Sequence, residues 1–126
     1  MEKSIIAEYP NAEFIENYDG DSMTIRIYVW RGLPAVLKVR LMGLDTPEAG
    51  WRAKSELERE LGAMAKREAE LLLSNAKKIV CRVYNIKEKF GRTLVDLICD
   101  GQDVGEMLIA KGLAREYDGG KKLPWQ

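Results

Sequence analysis

Histidine does not occur in the 126-residue chain. Its absence removes every mechanism that needs an imidazole as base, acid, nucleophile partner or metal ligand. Cysteine is nearly absent as well. Cys81 and Cys99 are too few for a four-ligand structural zinc site, and both lie in apolar runs, KKIVC and TLVDLIC, where they read as small buried hydrophobes. Acid–base chemistry is therefore left to carboxylates, and any metal must accept hard oxygen ligands, which points to calcium or magnesium. No run approaches the ~18 apolar residues of a membrane span, so no membrane association is expected. The start MEKSIIAEYP lacks the apolar middle of a signal peptide. The chain reads as soluble, with its compartment open. Net charge is missing too: 20 Lys and Arg balance 20 Asp and Glu, which argues against a strong overall attraction to nucleic acid.

The charge that is present is unevenly spread. Met1 to Asp21 holds six acids against Lys3, and Lys77 to Arg92 holds six bases against Glu88. The basic segment reads either as the charged outer faces of strands or as a place where phosphate is attracted. The length suits one domain, 1–126, large enough to bury roughly two thirds of its unfolded surface. No repeat, low-complexity tract or linker breaks it.

Hydrophobic patterning gives strands, a helix, strands and a second helix. Phe14 to Tyr18, Met23 to Trp30 and Val36 to Leu41 are β-branched or aromatic-rich runs separated by DGD and RGLP, and so predict a three-stranded meander. Ala53 to Asn75 carries Leu57, Leu61, Met64, Ala65 and Leu72 at three- and four-residue spacing, predicting an amphipathic helix. Lys78 to Tyr84 and Thr93 to Cys99 are two further strands, joined by the long, basic NIKEKFG. Asp103 with Glu106 three residues on forms a capping box for a short helix that Gly112 ends. The fold class is α+β, mainly β. Five short strands with a helix between the third and fourth is the order of an OB-type Greek-key barrel, here with two to three helices.

Four motifs then stand in order along this frame: DGD at 19–21, VRLMGLDTPE at 39–48, KFGR at 89–92 and GLAREY at 112–117. Each alone is an ordinary turn or helix-approach sequence. Together, from about Tyr9 to Tyr117, they resemble the staphylococcal (thermonuclease) family of calcium-dependent nucleases, in style its shorter bacterial and phage-type members. The ending YDGGKKLPW has no counterpart to the long terminal helix of the staphylococcal enzyme.

The resemblance implies a phosphodiester hydrolase acting on DNA or RNA and leaving a 3′-phosphate and a 5′-hydroxyl. It makes Asp21 and Asp45 the carboxylate ligands of one Ca²⁺, with the Thr46 carbonyl beside them and waters completing a shell of the kind calcium tolerates. Glu48 becomes the carboxylate free to hold or deprotonate the attacking water. Arg40 and Arg92 become the phosphate grip, suited by a planar, permanently charged fork. Arg40 fits this from its strand as well, since Leu37, Val39 and Leu41 face inward and Lys38 and Arg40 point the other way. Lys89 and Tyr117 match positions that touch a terminal phosphate. Phe90 departs from the family, which carries a phosphate-reaching tyrosine there, and Ser22 replaces a usual threonine. Trp51 reads either as a base-stacking platform or as local packing. The expected partner is nucleic acid and the expected state a monomer. The alternative is a catalytically silent OB-type module that binds single strands, against which the joint presence of Asp21, Asp45, Glu48, Arg40 and Arg92 counts.

Overall fold

The computed structural model describes residues 4–125. Strand β1 (Ile5–Asp19) is followed by β2 (Ser22–Trp30), β3 (Leu33–Leu41) and the short β4 (Leu44–Asp45). After a 3₁₀ turn at Gly50–Arg52 come α1 (Glu56–Ser74), β5 (Ile79–Lys87), β6 (Thr93–Cys99), the short β7 (Gln102–Asp103), α2 (Val104–Ala110) and the short β8 (Arg115–Glu116). β1 is far longer than its predicted core of Phe14 to Tyr18. Pro10 and Asn11 look like strand breakers, yet here they mark a bulge: Asn11 takes φ 62°, and the register with β5 shifts between Tyr9 and Ala12. β1 pairs with β5 from Ile5 across the bulge to Ala12, and with β2 from Glu13 to Asp19. One strand thus turns a barrel corner and serves two neighbours.

The barrel closes through β3 and β6. Their parallel pairing sets Val39 against Thr93, Arg40 against Leu94 and Leu41 against Val95. The other contacts of the five-strand circuit β1-β2-β3-β6-β5 are antiparallel. With α1 between its third and fourth strands, this is the OB-type barrel expected, carrying two α-helices. Arg31 (φ 41°) and Gly32 (φ 79°) form the β2–β3 turn, the doubly positive pair that matches strand twist in tight hairpins. Asp103 caps α2 by accepting from the Glu106 amide at 3.0 Å, and Gly112 ends it at φ 72°, both as the sequence indicated.

The helix α1 corrects the sequence reading in one respect. Its buried stripe is Glu58, Gly62, Ala65, Ala69 and Leu73, while Leu57 and Met64, expected on the packed face, are largely exposed. Small residues win because the helix lies almost on the backbone of the β1–β2 turn. A Cβ built on Gly20 would stand 3.0 Å from the Ala65 Cβ and 3.0 Å from the Thr46 Cγ2. A larger residue at position 65 would lift α1 off that turn, an overpacking penalty of about 1–3 kcal/mol. The core beneath is formed by Met23, Ile25, Val39, Cys81, Val95, Leu97, Val104 and Leu108, all fully buried. Burial raises the thiols to about 12 at Cys81 and about 11 at Cys99, so both cysteines are inert packing residues, as expected.

Candidate active site

Where β1 turns into β2 and the parallel ends of β3 and β6 part, the barrel mouth opens into a cleft of about 740 Å³. Asp21, Arg40, Glu48, Arg92, Tyr117 and Lys122 all line it. A groove of the same volume between β1 and α1 holds none of these groups.

Register brings the charges together. Arg40 lies opposite Ser22 across β2–β3, and the Leu41 amide donates to the Asp21 carbonyl at 2.9 Å. The Arg40 Nη2 is thereby 3.3 Å from Asp21 Oδ2 and 3.5 Å from Asp45 Oδ1. Both carboxylates are buried, Asp21 at 5% exposure and Asp45 at 2%. Burial pushes the Asp21 carboxyl above its ordinary value, Arg40 opposes that, and Asp45 and Asp19 add to it. Asp45 also meets Arg115 Nη2 at 3.2 Å and Lys122 Nζ at 3.1 Å. Three protein cations therefore converge on one buried carboxylate, since an uncompensated charge there is costly.

Glu48 sits on the loop between β4 and α1. Its carboxyl is raised by burial first and then by Asp19, and its Oε2 is buried without a hydrogen-bond partner, as is the Thr46 Oγ1. The Thr46 amide donates to Asp21 Oδ2 at 3.4 Å, which draws the 45–48 segment against the β1–β2 turn.

Arg92 forms the opposite side. Its Nη1 donates to Ser22 Oγ at 2.8 Å, and that hydroxyl donates to Asp21 Oδ1 at 3.2 Å. Ser22 is thus a link between the second arginine and the carboxylates, a role not visible when it is read as a mere stand-in for threonine. The planar fork of Arg92 is already engaged: Nε meets Glu88 Oε1 and Nη2 meets Glu88 Oε2, each at 3.1 Å. Those bonds hold the Glu88 carboxyl below its usual range. Of the six bases between Lys77 and Arg92, only Lys89 and Arg92 line the cleft; Arg82 pairs with Glu8 at 2.8 Å on the barrel exterior. Of the rest, Arg82 and Lys87 lie on β5, and Lys77 and Lys78 just before it.

Tyr117 donates its hydroxyl to the Gly120 carbonyl at 2.5 Å, while its ring lies 5.8 Å from the Arg40 guanidinium and 5.4 Å from Lys122 Nζ. It shapes the wall with its ring. Phe90 and Trp51 are 75% and 87% exposed at the rim, each beside a base, with Lys89 Nζ at 5.1 Å and the Arg52 guanidinium at 5.5 Å. Trp51 does not pack into the core. Arg115, Lys122 and Glu88 were not singled out from sequence. Arg115 lies inside the GLAREY motif, but only folding reveals what it touches.

The donor set fits a calcium ion. Two buried carboxylates converge beside a backbone segment whose Thr46 Oγ1 has no partner, and all the donors are oxygen. Among the described residues no three Asp, Glu or Cys side chains gather tightly enough to hold a metal by themselves. An ion here would rest on two carboxylates, a carbonyl and water.

The family model described as Staphylococcal nuclease homologue matches residues 38–123, from β3 to beyond Tyr117. The chain is 30% identical over 87 residues to an uncharacterized 38.1 kDa protein of Capnoides sempervirens, covering 69% of this chain and 23% of that protein. It is 27% identical over 113 residues to the probable staphylococcal-like nuclease CAN1 of Oryza sativa subsp. japonica, covering 87% and 31%. Over 80 residues it is 31% identical to the staphylococcal-like nuclease CAN1 of Arabidopsis thaliana, covering 64% and 22%. The chain thus spans less than a third of the length of these relatives.

Proposed function

The chain belongs to the staphylococcal nuclease homologue family, and from that premise and the cleft's geometry we propose that it is a calcium-dependent nuclease. It hydrolyses phosphodiester bonds of DNA or RNA, leaves 3′-phosphate and 5′-hydroxyl ends, and acts as a monomer. The observation that carries this reading is the convergence of buried Asp21 and Asp45 on Arg40, with Glu48 and Arg92 lining the same cleft.

Asp21, Asp45 and the Thr46 carbonyl would hold the Ca²⁺, which would supply positive charge against the phosphate. Glu48 takes the proton of the attacking water; its raised affinity for protons, due to burial and Asp19, suits a base better than an ordinary carboxylate would. Arg40 and Arg92 donate to the equatorial phosphate oxygens as charge builds on them. Arg40 turns from its own carboxylates toward the substrate, whereas Arg92 reaches it from the Glu88 brace. Lys89 and the Tyr117 ring receive the flanking nucleotide. A silent binding module is the weaker reading, because it gives no reason to bury two carboxylates at the cost of three cations.

Labelled single-stranded DNA and RNA, incubated with calcium, with magnesium or with a chelator, test class, metal and chemistry together. Calcium should support cleavage and magnesium should support it poorly, because magnesium demands a tighter octahedron than two carboxylates and a carbonyl provide. Equal rates with both ions would remove the calcium assignment. Binding without cutting at any calcium concentration would select the silent module.

A further inference from the structure

Glu58 is a buried carboxylate that the reaction described above does not use. It is 7% exposed and among the described residues forms no ion pair, an expensive state for a charged group unless hydrogen bonds compensate it. Its position explains its presence at first sight: Ser55 caps α1, accepting from the Glu58 amide at 3.0 Å, and Ser-x-x-Glu is the capping-box pattern in which the glutamate returns to the amide of the cap residue. The Glu58 side chain goes elsewhere. Its Oε2 accepts from the Glu48 amide at 3.0 Å and its Oε1 from the Lys54 amide at 3.2 Å. One carboxylate therefore ties both ends of the loop that carries Glu48.

Two other groups hold the next peptide unit, between Glu48 and Ala49. Asp19 Oδ1 accepts from the Ala49 amide at 3.0 Å. One turn along α1 from Glu58, Gly62 lies directly on the Glu48 carbonyl, where an added Cβ would stand 2.2 Å from its oxygen. The amide of Glu48, its carbonyl and the next amide are thus each fixed by a different residue, from two elements. We propose that Glu58 is the positioning residue for Glu48: it sets the backbone from which the Glu48 carboxyl is aimed into the cleft. The reason to spend a buried charge there is accuracy, since a base displaced by about 1 Å can lose on the order of 10²-fold in rate. The inference rests on the nuclease reading for its catalytic consequence but not for its structural one.

The test is a double-mutant cycle with an exchange measurement. Glu58→Gln keeps the size of the side chain, but sets an amide NH₂ against one of the two backbone donors. It should lower kcat about ten-fold with KM changed less than about two-fold, measured well below a melting temperature that one unsatisfied amide lowers by several degrees. In a Glu48→Gln background the same change should have no further effect on rate, because Glu58 acts only through Glu48. Amide hydrogen exchange should speed up at Glu48 and Lys54 while the α1 interior keeps its protection. Glu58→Asp, which retains the charge with a shorter reach, should change rate and exchange in the same direction and serves if the glutamine variant fails to fold. Losses that add to those of Glu48→Gln, a loss residing in KM, or a loss that follows the melting temperature would overturn the proposal. If the wild-type protein does not cleave, the nuclease reading fails by itself. The exchange measurement still decides the clamp, and unchanged protection at Glu48 in both variants would overturn it.

Discussion

The two walls of the cleft are built in opposite ways. The wall that carries Glu48 is fixed from far along the chain, by Asp19 at the end of β1 and by Glu58 and Gly62 on α1. The wall that carries Arg92 is nearly self-contained. Glu88 accepts from the Phe90 amide at 3.0 Å and from the Arg92 amide at 3.1 Å, and braces the Arg92 side chain, while Gly91 supplies the turn at φ 86°. Among the described residues, the Arg92–Ser22 bond ties that turn to the carboxylates. A base must be aimed to a fraction of an ångström, and the Arg92 fork takes its aim from one neighbour, Glu88. The difference teaches which substitutions should act on chemistry alone and which on a locally held binding arm.

The largest effect expected is on the fixed wall. Glu48→Gln keeps shape and removes the base, so turnover should fall at least ~10²-fold with the melting curve unmoved; steady-state kinetics beside thermal melts checks this. Arg40→Lys and Arg92→Lys keep charge and lose the fork, and each should lose on the order of 10²-fold in kcat/KM. The comparison sharpens in stability. Arg40→Lys should lower the melting temperature more, because Arg40 bridges buried Asp21 and Asp45, while Arg92 braces an outer turn. Similar melting temperatures would break the contrast between the walls.

Smaller effects belong to the local wall. The folded-state value of Glu88 lies below the ordinary carboxylate range, chiefly through its bond to Arg92. Its contribution to stability is therefore present above the ordinary value and lost as pH falls through the lowered one. Denaturant titrations should find that wild type loses more stability than Glu88→Gln on acidification. A larger loss in the variant would reverse the sign of the argument. Smallest of all, Phe90→Tyr adds a hydroxyl at the cleft rim, and should lower KM by no more than about five-fold, the value of one hydrogen bond of about 1 kcal/mol. An unchanged KM would mean the turn holds position 90 away from phosphate.

Much of this was legible in the sequence. Strand β6 lies where alternation put it, α2 begins at its capping box, and Asp21, Arg40, Asp45 and Arg92 were found through the DGD, VRLMGLDTPE and KFGR motifs and are joined in the structure through Arg40 and Ser22. What escaped is what three dimensions decide. The first half of β1 was hidden by Pro10 and Asn11, whose local preference is to break a strand but which a barrel corner uses as a bulge. The packed face of α1 was misread at Leu57 and Met64 because large apolar residues dominate a periodicity argument, while close approach to the β1–β2 turn selects Gly62 and Ala69 beside the expected Ala65. Glu58 was not singled out, and Lys122 and Arg115 carried no signal because their partner, Asp45, is distant in sequence.

The parallel pairing of β3 with β6 has a consequence for how the protein comes into being. Arg40 and Arg92 reach one cleft only because Val39 aligns with Thr93, and joining strands so far apart in sequence closes a long loop before any contact compensates the lost entropy. During synthesis, β1 to β3 can pair as hairpins while β6 is still unmade, and in that interval the carboxylates have one arginine and no second. The gathering of both arginines and both carboxylates in one cleft is thus a property of the closed barrel, which no isolated hairpin of the same chain can possess.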